Sequence, residues 1–132
     1  TGALGSSLYK KRIALLGLAF KEGTNDVRHS LSIRLYRSLR DQGASVIGHD
    51  LLAINEAREL VPGIEASVDL GEVLTGAEVV VALNSESIYS EIDWVEFGSL
   101  STQPFVLDTR GILDRRSLSS SGLLFDILGS AS

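Results

Sequence analysis

The sequence predicts an α/β domain built on a doubly wound parallel sheet of about six strands, in three α/β/α layers. Short apolar runs alternate with segments of helical periodicity along the whole chain. Runs such as Glu78-Val79-Val80-Val81-Ala82-Leu83 are apolar at successive positions, as in strands buried on both faces. Gly, Pro and capping residues fall where strand must give way to helix.

The first strand is Arg12-Ile13-Ala14-Leu15-Leu16-Gly17. Asn25-Asp26 then offers an N-cap. Val27, Leu31, Leu35 and Leu39 recur every four residues as the apolar stripe of a helix, with Ile33 and Tyr36 flanking it. Arg28, Arg34, Arg37, Arg40 and Asp41 fill much of its remaining surface. Gly43 follows the last turn as a C′ glycine does, and 45–50 is the second strand, which completes a β-α-β unit. A short helix over 52–60 stops at Val61-Pro62-Gly63, and 64–66 is a minimal edge strand. Asp69 caps a helix over 70–75, and 78–83 is the central strand. A helix over 90–100 carries Ile92, Trp94 and Val95. A strand at 105–108, a helix at 114–120 and a strand at 123–127 complete the pattern. Crossovers are expected to be right-handed. With no internal repeat and no linker, 1–132 reads as a single domain, with 1–8 and 130–132 as flexible ends.

Composition limits the function. The 132 residues suit one ordinary domain, and 44% hydrophobic with 22% charged residues suits one core. No apolar run reaches the roughly 18 residues of a membrane helix. The start, Thr1 to Ser7, lacks the charged and apolar regions of a secretion signal. A chain without Met is expected to be part of something longer. Cysteine is absent, which excludes disulfides, thiolate metal sites and cysteine nucleophiles within these residues and is compatible with the cytoplasm. The net charge of −5 argues against nucleic-acid backbone as a partner. A phosphate ligand must therefore be held by a few placed groups.

In an open parallel sheet those groups lie beyond the carboxyl ends of the strands. After the first strand comes Gly17-Leu18-Ala19-Phe20-Lys21-Glu22-Gly23-Thr24-Asn25-Asp26-Val27-Arg28. Helix N-termini offer unpaired N–H groups to anions, Lys21 adds a full charge, and Phe20 adds a stacking surface. The spacing is neither the dinucleotide fingerprint nor a Walker loop, so a plain loop with an exposed lysine and a phosphate cradle both remain open. Asp108-Thr109-Arg110-Gly111 places an arginine at a strand end, either in a surface ion pair or with its planar fork on a phosphate or carboxylate. Asp108 either orients that arginine or caps the turn. Asp50 is read as a cap for the next helix in preference to a ribose ligand. His29 and His49 lack the spacing of a metal site, so no metal is expected. Asn84, Ser85 and Ser87 have no nucleophile elbow around them. Trp94 and Phe97 are read as packing residues.

Gly17-Leu18-Ala19-Phe20-Lys21 with Thr24, Asp26, Arg28 and Ser30 resembles the opening signature of the C-terminal, UDP-binding domain of the UDP-glucose/GDP-mannose dehydrogenases. Gly43 to Val46 with Asp50, Ala77 to Ala82, Leu107 to Leu113 and the ending from Gly122 to Gly129 are similar to later parts of that domain, in the same order. The resemblance implies a Rossmann-like fold and membership of an enzyme that oxidises the C6 hydroxyl of a nucleotide sugar to a carboxylate. Such enzymes use two NAD molecules in succession and serve polysaccharide biosynthesis in the cytoplasm. It also implies that NAD and the catalytic cysteine belong mainly to other domains, that the full-length protein is a homodimer or higher homo-oligomer, and that these residues alone are inert. Phe20, Lys21 and Arg110 are implied to bind the substrate, Arg110 in one arrangement from a neighbouring subunit, and Arg28 to reach toward NAD. No catalytic residue is implied here.

The chain departs from the family pattern at four places. Leu31 stands where Pro usually follows the serine, and Leu51 where Pro follows the aspartate. Asn84-Ser85-Glu86 replaces a Thr and an aromatic, and Thr109 replaces a Gly. These leave the sugar and base open, and the departures at Leu31, Leu51 and Asn84 are the best support for an alternative, a free-standing nucleotide-sensing or protein-interaction domain.

Overall fold

The computed structural model describes residues 10–19, 30–100 and 104–127, so the ends read as flexible lie outside the described residues. The chain runs β1 (Arg12–Leu16), α1 (Leu31–Asp41), β2 (Ser45–His49), α2 (Ile54–Leu60), β3 (Ala66–Ser67), α3 (Leu70–Leu74) and β4 (Val79–Ala82). It continues through α4 (Ser87–Ser90), α5 (Trp94–Leu100), β5 (Phe105–Asp108), α6 (Arg115–Ser121) and β6 (Phe125–Ile127). The strands form one six-stranded sheet in the order β3-β2-β1-β4-β5-β6, parallel at every pairing. The chain winds outward from β1 through β2 to β3, then returns to place β4 on β1's other side. That reversal puts the topological switch point, the usual ligand crevice, between β1 and β4.

Alternation along each strand splits the core in two. Ile13, Leu15, Val46, Val79 and Val81 pack with Ile33 and Tyr36 of α1 and Ala57 of α2. Ala14, Leu16, Val80, Ala82 and Val106 pack with Val73 of α3, Tyr89 of α4, Trp94 of α5 and Leu118 of α6. Helices therefore cover both faces of the sheet in three layers. No helix among the described residues is long and apolar enough to cross a membrane.

Three elements differ from the sequence reading. The first helix as described starts at Leu31 with Ser30 as its cap, and its buried face is Ser32, Ile33 and Tyr36, while the expected cap Asn25-Asp26 and the stripe residue Val27 lie outside the described residues. Leu31, assigned to the apolar stripe, is 54% exposed, and Leu35 and Leu39 pack only at the edge of the core. The helix expected over 90–100 begins only at Trp94, after a separate short helix at Ser87–Ser90, because Asp93 starts it: its Oδ1 accepts the Glu96 N–H at 3.1 Å. The edge strand sits at 66–67 because Ile64 turns into the core, leaving Ala66 and Ser67 to pair with Gly48 and His49.

Candidate functional site

At the switch point, β1 is followed by Gly17, with φ at +102°, and the chain turns sharply away from the sheet. A Cβ at Gly17 would lie 2.5 Å from Cγ of Asn84, which follows β4, so the position has no room for a side chain. The turn is tied to the start of α1 by two buried serines. Ser30 Oγ donates to the Leu18 carbonyl at 2.8 Å and accepts the Ser32 N–H at 3.1 Å. Ser32 Oγ donates to the Gly17 carbonyl at 2.5 Å. On the other side, Thr109 Oγ1 donates to the Ala82 carbonyl at 2.6 Å, which fixes the end of β5 to the end of β4.

Between these anchors lies an open cleft of about 290 Å³, lined by Ala19, Ser30, Ser32 and Arg34 on one side and by Leu83, Thr109 and Arg110 on the other. The N-terminus of α1, at 11 residues the longest helix among the described residues, opens into it. Its first-turn N–H groups and the positive end of its dipole favour an anion there. Arg34 and Arg110 both line the cleft and both are exposed. Their planar forks are suited to phosphate oxygens. The cleft thus offers an anion one helix N-terminus and two arginine side chains.

Two buried carboxylates shape the loops around it. Asp108 Oδ1 accepts the N–H groups of Arg110 at 3.0 Å and Gly111 at 2.8 Å, and Oδ2 accepts that of Leu113 at 2.9 Å. Of the two roles open to Asp108, capping the turn is the one the geometry gives, and that turn carries Arg110 to the rim. Asp50 Oδ1 accepts the N–H groups of Leu52 at 2.8 Å and Ala53 at 2.9 Å. It therefore caps the turn that leads into α2 rather than the helix itself. Its other oxygen accepts from Leu18 at 2.9 Å and Ala19 at 3.0 Å, a tether that sequence reasoning missed. Both oxygens are taken, so the ribose contact of a dinucleotide fold is closed at this position.

Beside Asp50 lies a buried aromatic pair. His49 Nδ1 and the Tyr89 hydroxyl are 2.7 Å apart, His49 Nε2 and the Val68 carbonyl are 3.1 Å apart, and the rings meet edge-on. The Val68 carbonyl can only accept, which assigns the proton to Nε2 and leaves Nδ1 to accept from Tyr89. Burial holds the imidazole below its ordinary pKa of 6.5, against the opposing pull of the Val68 carbonyl and of Asp50, Asp69 and Glu86. Burial likewise raises the Tyr89 phenol, helped by Asp50 and Glu86. Both rings are neutral over the physiological range and serve packing rather than acid–base chemistry.

Of the residues predicted to bind ligand, Arg110 lies at the cleft; Phe20, Lys21 and Arg28 lie outside the described residues. Sequence reasoning missed Ser30, Ser32 and Arg34 as cleft residues. The available signal was Ser-x-Ser at 30–32, a cap pair that places Arg34 one turn into the helix.

A sequence model of the "UDP-glucose/GDP-mannose dehydrogenase family, UDP binding domain" matches residues 14–115. The chain belongs to this family. The match runs from within β1 to the first residue of α6, so the family's domain takes in both sides of the cleft and the turn that carries Arg110. The chain is 29% identical over 127 residues to the UDP-glucose 6-dehydrogenase of Rhizobium meliloti, which covers 96% of this chain and 29% of that protein. It is 35% identical over 108 residues to UDP-glucose 6-dehydrogenase AglM of Haloferax volcanii, covering 82% of this chain and 23% of the other. The crystal structure of an NDP-N-acetyl-D-galactosaminuronic acid dehydrogenase from Methanosarcina mazei superposes with a TM-score of 0.79 at 29% identity, over 96% of this chain and 26% of that one. The chain thus spans under a third of the length of these relatives.

Proposed function

We propose that this chain is the UDP-sugar-binding domain, residues 1–132 as one unit, of a longer NAD-dependent dehydrogenase that oxidises the C6 hydroxyl of a nucleotide sugar to a carboxylate. The family match across residues 14–115 carries the reading. On it, the diphosphate lies over the α1 N-terminus with Lys21 and Arg110 as its cations, Phe20 contacts the nucleotide sugar, and Arg34 shares the rim. The domain's contribution to catalysis is orientation: it holds the diphosphate so that C6 of the sugar meets reacting groups carried elsewhere.

NAD does not fit this sheet in the dinucleotide manner. The loop after β1 lacks the glycine fingerprint, and Asp50 has both oxygens committed to backbone N–H groups. On this reading NAD is held mainly by the rest of the protein, with Arg28 reaching toward it. On this reading the full-length protein is a homodimer or higher homo-oligomer that works in the cytoplasm and supplies acidic nucleotide sugars for polysaccharide biosynthesis.

The test is a titration of the 132-residue chain with UDP and UDP-glucose, followed by amide chemical shifts, which respond to millimolar binding. Shifts are expected at Gly17 to Ala19, Ser30 to Arg34 and Asp108 to Leu113. Lys21→Ala and Arg110→Ala should each weaken binding about tenfold, the equivalent of about 1.4 kcal/mol for a lost charged contact. Shifts scattered away from the cleft, or none at millimolar UDP, would overturn the reading.

A further inference from the structure

Asp50 is a buried acid with no part in the substrate reading above. It stands at the carboxyl end of β2, where a dinucleotide-binding sheet turns its acid outward to ribose hydroxyls. Here the carboxylate points inward and only 2% of the residue is exposed. A carboxylate offers about four acceptor positions. All four are used: Oδ2 by the N–H groups of Leu18 and Ala19, Oδ1 by those of Leu52 and Ala53.

The first of these pairs matters for binding. Leu18 and Ala19 follow β1 by one residue, and the next residues in the sequence are Phe20 and Lys21. The peptide groups here are gripped from two sides. Ser32 and Ser30 hold the carbonyls of Gly17 and Leu18, and Asp50 holds the amides of Leu18 and Ala19. The Leu18 side chain is locked as well, because it lies against Gly48 of β2, where a Cβ would come within 2.6 Å of Leu18 Cδ2. The β1 ladders to β2 and β4 do not involve Asp50. Its loss therefore falls on the loop, whose buried amides are left without an acceptor, before it falls on the sheet.

We propose that Asp50 is a positioning residue for ligand binding. It clamps Leu18 and Ala19 to the β2–α2 turn, fixes the edge of the cleft that Ala19 lines, and so sets the affinity for the diphosphate of a nucleoside diphosphate. The proposal rests on the substrate reading above. In this protein the acid that touches ribose in a dinucleotide fold holds the Leu18–Ala19 edge of the cleft instead.

The experiment compares wild type, Asp50→Asn and Asp50→Ala by UDP titration and by amide hydrogen exchange, well below each protein's melting temperature. Asp50→Ala is expected to weaken UDP at least tenfold and to speed exchange at Leu18 and Ala19 at least tenfold, with Val80 and Val81 unchanged. Asp50→Asn keeps one acceptor oxygen and should fall between. Wild-type UDP affinity in Asp50→Ala, even with a lowered Tm, overturns the positioning role and leaves the substrate reading standing. A wild-type chain that ignores UDP overturns the substrate reading and this role with it. Should Asp50→Ala fail to fold, Asp50→Asn decides by the same two measurements: unchanged affinity overturns the role, and a several-fold loss with fast Leu18 and Ala19 exchange supports it.

Discussion

Gly17 and Asn84 touch across the gap between β1 and β4, and each explains the other. The φ of +102° at Gly17 is a conformation that L side chains rarely adopt, and the space a Cβ needs is filled by the Asn84 amide. Asn84 is itself 1% exposed; its Oδ1 accepts the Glu86 N–H at 3.2 Å, and its Nδ2 has no hydrogen-bond partner among the described residues. The sequence marks both residues, one as a strand-ending glycine and one as a departure from the family pattern. It does not show that they meet, because the meeting depends on which strand lies beside β1. Gly17→Ala adds about 1–2 kcal/mol of backbone strain and about 1–3 kcal/mol of overlap. We expect a loss of about 2–5 kcal/mol in urea unfolding. Asn84→Ala in the same background should recover the overlap part and leave the strain. A double variant no more stable than Gly17→Ala alone would rule out the overlap.

Helix α1 shows what an element's sequence does and does not reveal. Its existence and its C-terminal end at Gly43 follow from periodicity and a glycine, both local signals. Its start does not: the sequence reading places the cap at Asn25-Asp26, which lie outside the described residues, and α1 as described is capped by Ser30. Tertiary partners hold Ser30 in that role. Ser30 not only accepts the Ser32 N–H but also donates to the Leu18 carbonyl, a bond that exists only once β1 and α1 are packed. The same limit hid the break between α4 and α5, where Ser117 Oγ of α6 takes the Trp94 N–H at 2.5 Å. Ser30→Ala removes the cap and leaves the buried Leu18 carbonyl without this donor. A loss of about 1–2 kcal/mol is expected in the urea midpoint, and an unchanged midpoint would show that Ser30 does not hold the helix start.

Across the whole molecule, the parallel topology was legible, since strand–helix alternation leaves few arrangements, and so was the side of the sheet where ligand groups lie; the switch point between β1 and β4 was not, because it depends on the strand order. The inward turn of Asp50 and the burial of His49 were not, because a strand-end residue reads the same whether it faces solvent or the core. His49 has a consequence for the molecule as a whole. It joins β2 to α4 through Tyr89 and to the segment after β3 through Val68. Burial holds its folded pKa below the ordinary 6.5. Once the pH falls below about 6.5, the unfolded chain takes up a proton that the folded chain refuses, so stability falls as pH falls until the folded pKa is reached. One such group contributes at most about 1.4 kcal/mol per pH unit. Glu78 is held below its ordinary 4.5 by the Arg12 N–H and by Lys11, so its own contribution is lost only in more acid solution. Between pH about 6.5 and 5 the slope should therefore come largely from His49. Urea midpoints are expected to fall over that window in the wild type and to stay nearly flat in His49→Gln, whose amide can still donate to Val68 and accept from Tyr89. Equal slopes in the two proteins would assign the pH dependence to other groups.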